Sequence, residues 1–154
     1  MTSKASFVHE TAIVEEGACI GHGTKIWHHA HVRSGAILGD DCILGKGVYI
    51  DAHVVVGNRV KMQNHVSLFH GVTLGSDIMI GPSACFTNDL YPRSSDDWEV
   101  TETTIGDGVG IGANSTIVCG AKIGDWAMVG AGTVVVGDVP SHALVVGNPS
   151  RIIG

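Results

Sequence analysis

The chain has 154 residues, enough for one continuous core, and 44% of them are hydrophobic while only 5% are aromatic. That balance calls for an interior of Val, Ile, Leu and Ala. A formal net charge of −6 at pH 7 argues against nucleic acid or an anionic membrane as the main partner.

Taken in chain order, the pattern is a repeat of six. From Val8 onward Val14, Ile20, Ile26, Val32, Leu38, Leu44 and Ile50 are aliphatic, and the series continues to Ile80. It resumes at Ile105 and runs through Ile111, Ile117, Ile123 and Val129 to Val135. Four residues after each aliphatic stands a small or branched one, such as Ala12, Ala18, Thr24, Ala30 and Cys42. A period of six is neither a helical stripe nor the alternation of a hairpin. It suits a solenoid of short parallel strands in which each inward aliphatic stacks on its copies above and below. The glycines obey the same period. Gly21, Gly39, Gly57 and Gly75 follow the inward residue directly, a spacing that predicts tight corners with unusual backbone angles there.

The four cysteines form no CxxC pair, and Cys42 falls in an inward slot, as expected of a buried apolar residue in a reducing compartment. No basic and apolar leader opens the sequence and no apolar run approaches a membrane span, so a cytoplasmic protein without membrane attachment is expected. The hexads lapse over residues 87–104, TNDLYPRSSDDWEVTETT, which predicts a protruding loop of the kind that carries function. Residues 137–154 read as a C-terminal cap on a single domain spanning 1–154.

Repeats of the form Ile-Gly-x-x-(Ala/Ser/Thr/Val)-x resemble those of hexapeptide acyltransferases. The resemblance implies an all-β fold, a left-handed parallel β-helix (hexapeptide-repeat solenoid) with one long loop. Three hexads would make one coil, and three chains a homotrimer with sites in the clefts between copies. The segment HVSLFHGVTLG, then IGPSACFTNDLYPRS, is similar to bacterial nucleotide-sugar 3-N-acetyltransferases. By that resemblance the cofactor is acetyl-CoA, and the acceptor is the 3-amino group of a UDP- or dTDP-linked sugar destined for surface polysaccharide.

Amine acetylation needs an oriented amine, a stabilised oxyanion and a proton acceptor, for which histidine has a suitable pKa. Among nine histidines, His70 stands out: Asn88 lies three hexads later, one coil above it in the same column, with Ala52 and Ser34 below. His70 is the candidate base or proton relay, and Asn88 the residue orienting the amine or the thioester carbonyl. In some relatives the resemblance implies no protein base at all, the cofactor sulfur taking the proton. His9, His22 and His142 read as surface residues. In the loop, Arg93 suits phosphates, and Tyr91 or Trp98 could stack on a base. His65 is a further candidate substrate contact. For acetyl-CoA the candidates are Gly112-Ala113 and, three hexads on, Gly130-Ala131, whose small size suits a pantetheine arm. Arg151 resembles the basic residue that meets the cofactor's phosphates.

Two rival readings share this fold. His65 and His70, spaced by five, resemble the zinc pair of gamma-class carbonic anhydrases, although a catalytic zinc needs three protein ligands and the third has no clear counterpart. HGVTLG also occurs in serine O-acetyltransferases, which carry an N-terminal helical domain. No metal is expected in the favoured reading.

Overall fold

In the computed structural model, which describes residues 4–154, the chain winds as a left-handed parallel β-helix with no α-helix among the described residues. Its 22 short strands form three sheets, here called faces 1, 2 and 3. Face 1 begins with Phe7–Val8, face 2 with Ile13–Val14 and face 3 with Cys19–Ile20, and each face then takes every third strand as far as Val134–Val135. Among the described residues no helix is long and apolar enough to cross a membrane.

The hexad sets this architecture because two inward positions recur on each face. The aliphatic row, such as Ile26, Leu44, Ile50 and Leu68, is fully buried, and so is the small row of Ala30, Ala36, Cys42 and Val48. Each such Ile or Leu contributes roughly 1.5–3 kcal/mol by leaving water. At two polar small slots the hydroxyl is satisfied locally: that of Thr24 donates to the Gly39 carbonyl at 2.8 Å and accepts the Cys42 amide at 3.0 Å, and that of Ser115 donates to the Gly130 carbonyl at 3.0 Å, whereas the buried Thr133 hydroxyl has no partner among the described residues.

The corners differ from the expectation drawn from glycine spacing. Left-handed backbone falls three residues after the inward aliphatic, at His53 (φ 63), His65 (φ 62), Ser83 (φ 63) and Gly132 (φ 70). There the amide turns to a carbonyl of the coil below, as His65 N–H does to Lys46 O at 2.8 Å and Gly132 N–H to Ala113 O at 2.8 Å. The glycines directly after the aliphatic have ordinary φ; they are needed for close approach. A Cβ on Gly57 would sit 2.5 Å from the Gly75 carbonyl oxygen.

Between these two positions, corner 3–1 carries a polar ladder. The His22 amide donates to Asp40 Oδ1, Asp40 to Asn58 Oδ1, Asn58 to Ser76 Oγ, Ser76 to Asp107 Oδ1, and Asp107 to Asp125 Oδ1, at 2.8–3.0 Å. Each amide is thus taken by the side chain one coil above, the Asx chemistry that corners favour. Lys46 N–H obeys the same rule on corner 1–2, donating to Asn64 Oδ1 at 3.0 Å.

Register confirms one coil per three hexads through Leu68↔Phe86 on face 2. Above it the pairing becomes Thr73↔Thr104 and Cys85↔Thr116, a separation of 31 in place of 18, so the coil carries 13 extra residues. The expected loop at 87–104 ends two residues sooner: it lies between strands Cys85–Phe86 and Thr103–Ile105, and Thr103 and Thr104 already pair with Val72 and Thr73. The ladder re-forms where Thr101 N–H meets Asn88 O at 3.1 Å and Thr103 N–H meets Gly71 O at 3.0 Å. At the other end Leu144–Val146 joins face 1, and Arg151–Ile152 folds back antiparallel onto it, with Val146 opposite Arg151.

Candidate active site

His70 and Asn88 follow the face 2 strands Ser67–Leu68 and Cys85–Phe86. Because Leu68 pairs with Phe86, they stand one coil apart at corner 2–3, beside the root of the loop. Both are half-buried. Asn88 lines a largely apolar cavity of about 220 Å³ with Phe69, Thr87, Asp89 and Pro92. The His70 ring packs against that of His53 with centroids 5.1 Å apart. His53 lies one position off the column, but its left-handed backbone brings the ring across to His70.

The loop candidates lie apart from this corner. Tyr91 is 82% exposed and Trp98 half-exposed, both around a second cavity of about 340 Å³ that shares Asp89 with the first. Arg93 is exposed and donates to the Pro92 carbonyl at 3.2 Å. Around it the loop is acidic, with Asp89, Asp96, Asp97, Glu99 and Glu102. His65 is exposed on corner 1–2, between strands Lys61–Met62 and Ser67–Leu68, a corner away from His70. Among the described residues no three His, Cys, Asp or Glu side chains gather as a metal-ligand set.

Gly112, Ala113, Gly130 and Ala131 also occupy corner 1–2, stacked as the spacing predicts. Their glycines face the neighbouring coil: a Cβ on Gly112 would strike the Ala131 backbone, and one on Gly130 would lie 2.9 Å from Val146 Cγ1. Space for a ligand lies instead beside exposed Ala131 and Gly132, where a Cβ on Gly132 would meet nothing within 4 Å. Arg151, exposed, pairs across from Val146 next to this shelf. The shelf lies at the edge of face 2 opposite His70.

Asp51 is a site residue that the repeat pattern does not single out. Its side chain, 14% exposed, accepts the amides of Ala52 (2.8 Å) and His70 (3.0 Å) and the Tyr49 hydroxyl (3.1 Å), and pairs with Arg33 at 3.3 Å. Arg33 continues to Glu15 at 3.2 Å, and Glu15 meets His31 at 2.5 Å. The sequence holds one signal of it: Arg33 and Asp51 are opposite charges three hexads apart, hence stacked.

Burial pushes the Asp51 carboxyl upward, but the His70 and Ala52 amides, Tyr49 and Arg33 outweigh it and hold the group below the usual carboxylate range. The His31 hydrogen bond, with the Ser34 amide, lowers Glu15, and the Arg59 guanidinium lowers Asp77. In each case the folded state holds the proton less tightly than the unfolded chain. Their stabilisation is therefore fully present above the unfolded values near pH 4 and is lost as pH falls through the lower folded ones. The melting temperature is expected to hold from pH 7 to about pH 5 and to decline below it. Asp51→Asn should flatten the acid limb; an unchanged limb would remove Asp51 from the account.

Fold and hexad together make this chain a parallel β-helix built on a six-residue repeat. Residues 17–52 and 102–137 match the bacterial transferase hexapeptide (six repeats) family. A 52-residue stretch is 58% identical to dTDP-3-amino-3,6-dideoxy-alpha-D-galactopyranose 3-N-acetyltransferase of Aneurinibacillus thermoaerophilus, covering 34% of this chain and 27% of that protein. Over 77 residues the chain is 42% identical to serine acetyltransferase 4 of Arabidopsis thaliana, covering 50% of this chain and 19% of that protein. The matched stretches thus span about a fifth to a quarter of those two relatives. Among solved structures, a hexapeptide-repeat acetyltransferase of Vibrio cholerae complexed with acetyl coenzyme A aligns with a TM-score of 0.71 at 27% identity, over 78% of this chain and 70% of that one. A GDP-perosamine N-acetyltransferase variant of Caulobacter crescentus, in complex with CoA and GDP-perosamine, shares the fold over 99% of this chain and 58% of that one. Its TM-score is 0.67 and its identity 22%.

Proposed function

We propose that the protein is an acetyl-CoA-dependent N-acetyltransferase acting on the 3-amino group of a UDP- or dTDP-linked sugar, in the cytoplasmic supply of surface polysaccharide. The observation that carries this reading is the stacking of His70 and Asn88 beside a largely apolar cavity at the root of the loop. Relatives that acetylate amino sugars support the acceptor class.

Acetyl-CoA, when bound, supplies the activated acetyl group. Asn88 orients the acceptor amine through its carboxamide oxygen, or steadies the thioester carbonyl through its carboxamide N–H. His70 takes the proton the amine gives up as the new C–N bond forms and the thioester C–S bond breaks, and would pass it to the departing thiolate. Phe69 and Pro92 close the apolar wall of the cavity and limit water there. Arg93 pairs with the acceptor's phosphates, with Tyr91 on the nucleobase and His65 as a contact from the neighbouring copy. The shelf at Ala113, Ala131 and the adjacent glycines holds the pantetheine arm, and Arg151 its phosphates. Since shelf and His70 occupy different corners of one copy, the site is completed between subunits of a homotrimer, corner 1–2 of one facing corner 2–3 of the next.

The test is free-thiol release from acetyl-CoA against a panel of UDP- and dTDP-linked amino sugars. Turnover on a 3-amino sugar is expected. Turnover on none, together with tightly bound zinc in protein purified without a histidine tag, would overturn the reading in favour of a metalloenzyme.

A further inference from the structure

On corner 2–3 the polar ladder runs downward: the Ser34 amide donates to Glu15 Oε1 at 3.3 Å and the His70 amide to Asp51 Oδ2 at 3.0 Å. On corner 3–1 from His22 to Asp107, and at Lys46 on corner 1–2, the amide is instead taken by the side chain one coil above, which for His70 would be the carboxamide of Asn88. No hydrogen bond joins the Asn88 carboxamide to another described residue, and Asn88 opens onto the apolar cavity. Its backbone carbonyl is engaged, by the Thr101 amide, so the residue is anchored while its side chain is left over.

We propose that Asp51 is a positioning residue: by capping the His70 amide from below, it holds the backbone that carries the imidazole and releases the Asn88 carboxamide to meet the acceptor. The carboxylate is well placed for this. It is fixed by the Ala52 amide and the Tyr49 hydroxyl, and Arg33, itself braced by Glu15, neutralises its charge from the coil beneath. Removing it leaves the His70 amide open to the side chain above, the partner that corners 3–1 and 1–2 use, so Asn88 would turn from the cavity into the ladder. The catalytic part of this proposal rests on the acetyl-transfer reading; the exchange of hydrogen-bond partners does not.

A double-mutant cycle separates the two. Asp51→Ala is expected to lower kcat about 10–100-fold, the order of loss that follows misplacement of a reacting group, with the KM for acetyl-CoA unchanged. Asp51→Asn, which keeps one acceptor oxygen, recovers part of the rate and serves where the alanine variant folds poorly. If Asp51 acts through Asn88, then adding Asp51→Ala to Asn88→Ala costs far less than the same change in the unaltered enzyme. Independent, multiplying losses would overturn the proposal. Amide exchange of His70, followed by NMR without any substrate, gives the second readout. The amide stays protected in Asp51→Ala, where Asn88 takes over the cap, and exchanges at least about tenfold faster when both are alanine. Equal exchange in the single and double variants would overturn the partner switch, whether or not the protein transfers acetyl groups. Absence of turnover in the unaltered protein would sink the transferase reading and leave the exchange result to decide the hydrogen bond.

Discussion

On the proposed acetyl-transfer reading, alanine at His70 is expected to lower kcat for amine acetylation by about 10²–10⁴-fold, the range that a positioned proton acceptor supplies. The geometry confines that loss to chemistry. The His70 ring contributes nothing to the aliphatic core, and the hydrogen bond to Asp51 is made by its backbone, which alanine retains. Folding and acetyl-CoA affinity should therefore change little, and the rate should fall without a matching rise in KM for the cofactor. If the cofactor sulfur takes the proton instead, the same variant keeps its kcat and shows only a raised KM for the acceptor. The two results assign different roles to one residue, and steady-state kinetics with both substrates varied distinguishes them. His53, packed on His70 at 5.1 Å, supplies a control. His53→Ala removes a neighbour of the imidazole without removing the imidazole, so its effect should be much the smaller.

A large effect on stability is expected at Gly57. A Cβ there would meet the Gly75 carbonyl oxygen at 2.5 Å, the Gly75 carbonyl carbon at 2.6 Å and Ser76 Oγ at 2.7 Å. Two of the three are backbone atoms of the next coil, which is held by its own ladder to the coil above. Gly57→Ala should thus cost about 3 kcal/mol, the upper range for overpacking, and lower the melting temperature by roughly 6–12 °C in a chain of this size. Gly132→Ala is the contrast. It has a left-handed φ of 70° but open space around the added carbon, so only the backbone term of about 1–2 kcal/mol applies. Melting curves ranking Gly132→Ala as the worse change would show that corner conformation, rather than coil spacing, limits this fold.

These two glycines mark how far the hexad can be read. It establishes which side chains point inward, because every aliphatic in the series from Ile26 to Ile80 is buried, and it converts three hexads into one coil, as Leu68 over Phe86 demonstrates. The glycines look like turn formers in the sequence, yet the left-handed residues stand two places later and include His53, Arg59 and Trp126. Such positions escape notice because stacking and an interstrand amide bond outweigh the cost of the conformation. The pairing of Thr73 with Thr104 is equally hidden: the hexad gives no count of residues extruded between two coils. Asp51 goes unseen for a related reason. It occupies an ordinary outward slot, in column with Arg33 and Phe69, and spacing alone does not tell whether a carboxylate faces solvent or reaches the amide of the coil above.

The thirteen residues inserted between Asn88 and Thr103 leave no trace in the interior: Leu74 still stacks under Ile105 as though nothing intervened. Repair and novelty are thereby uncoupled in this chain. A change in the loop need not be compensated in the coils, and a better-packed coil need not disturb what the loop meets. On the proposed acetyl-transfer reading, exchanging the outer loop for one of another length and charge, with Val100, Thr101 and Glu102 kept where they meet the coils, would be the direct way to redirect the protein to a different acceptor.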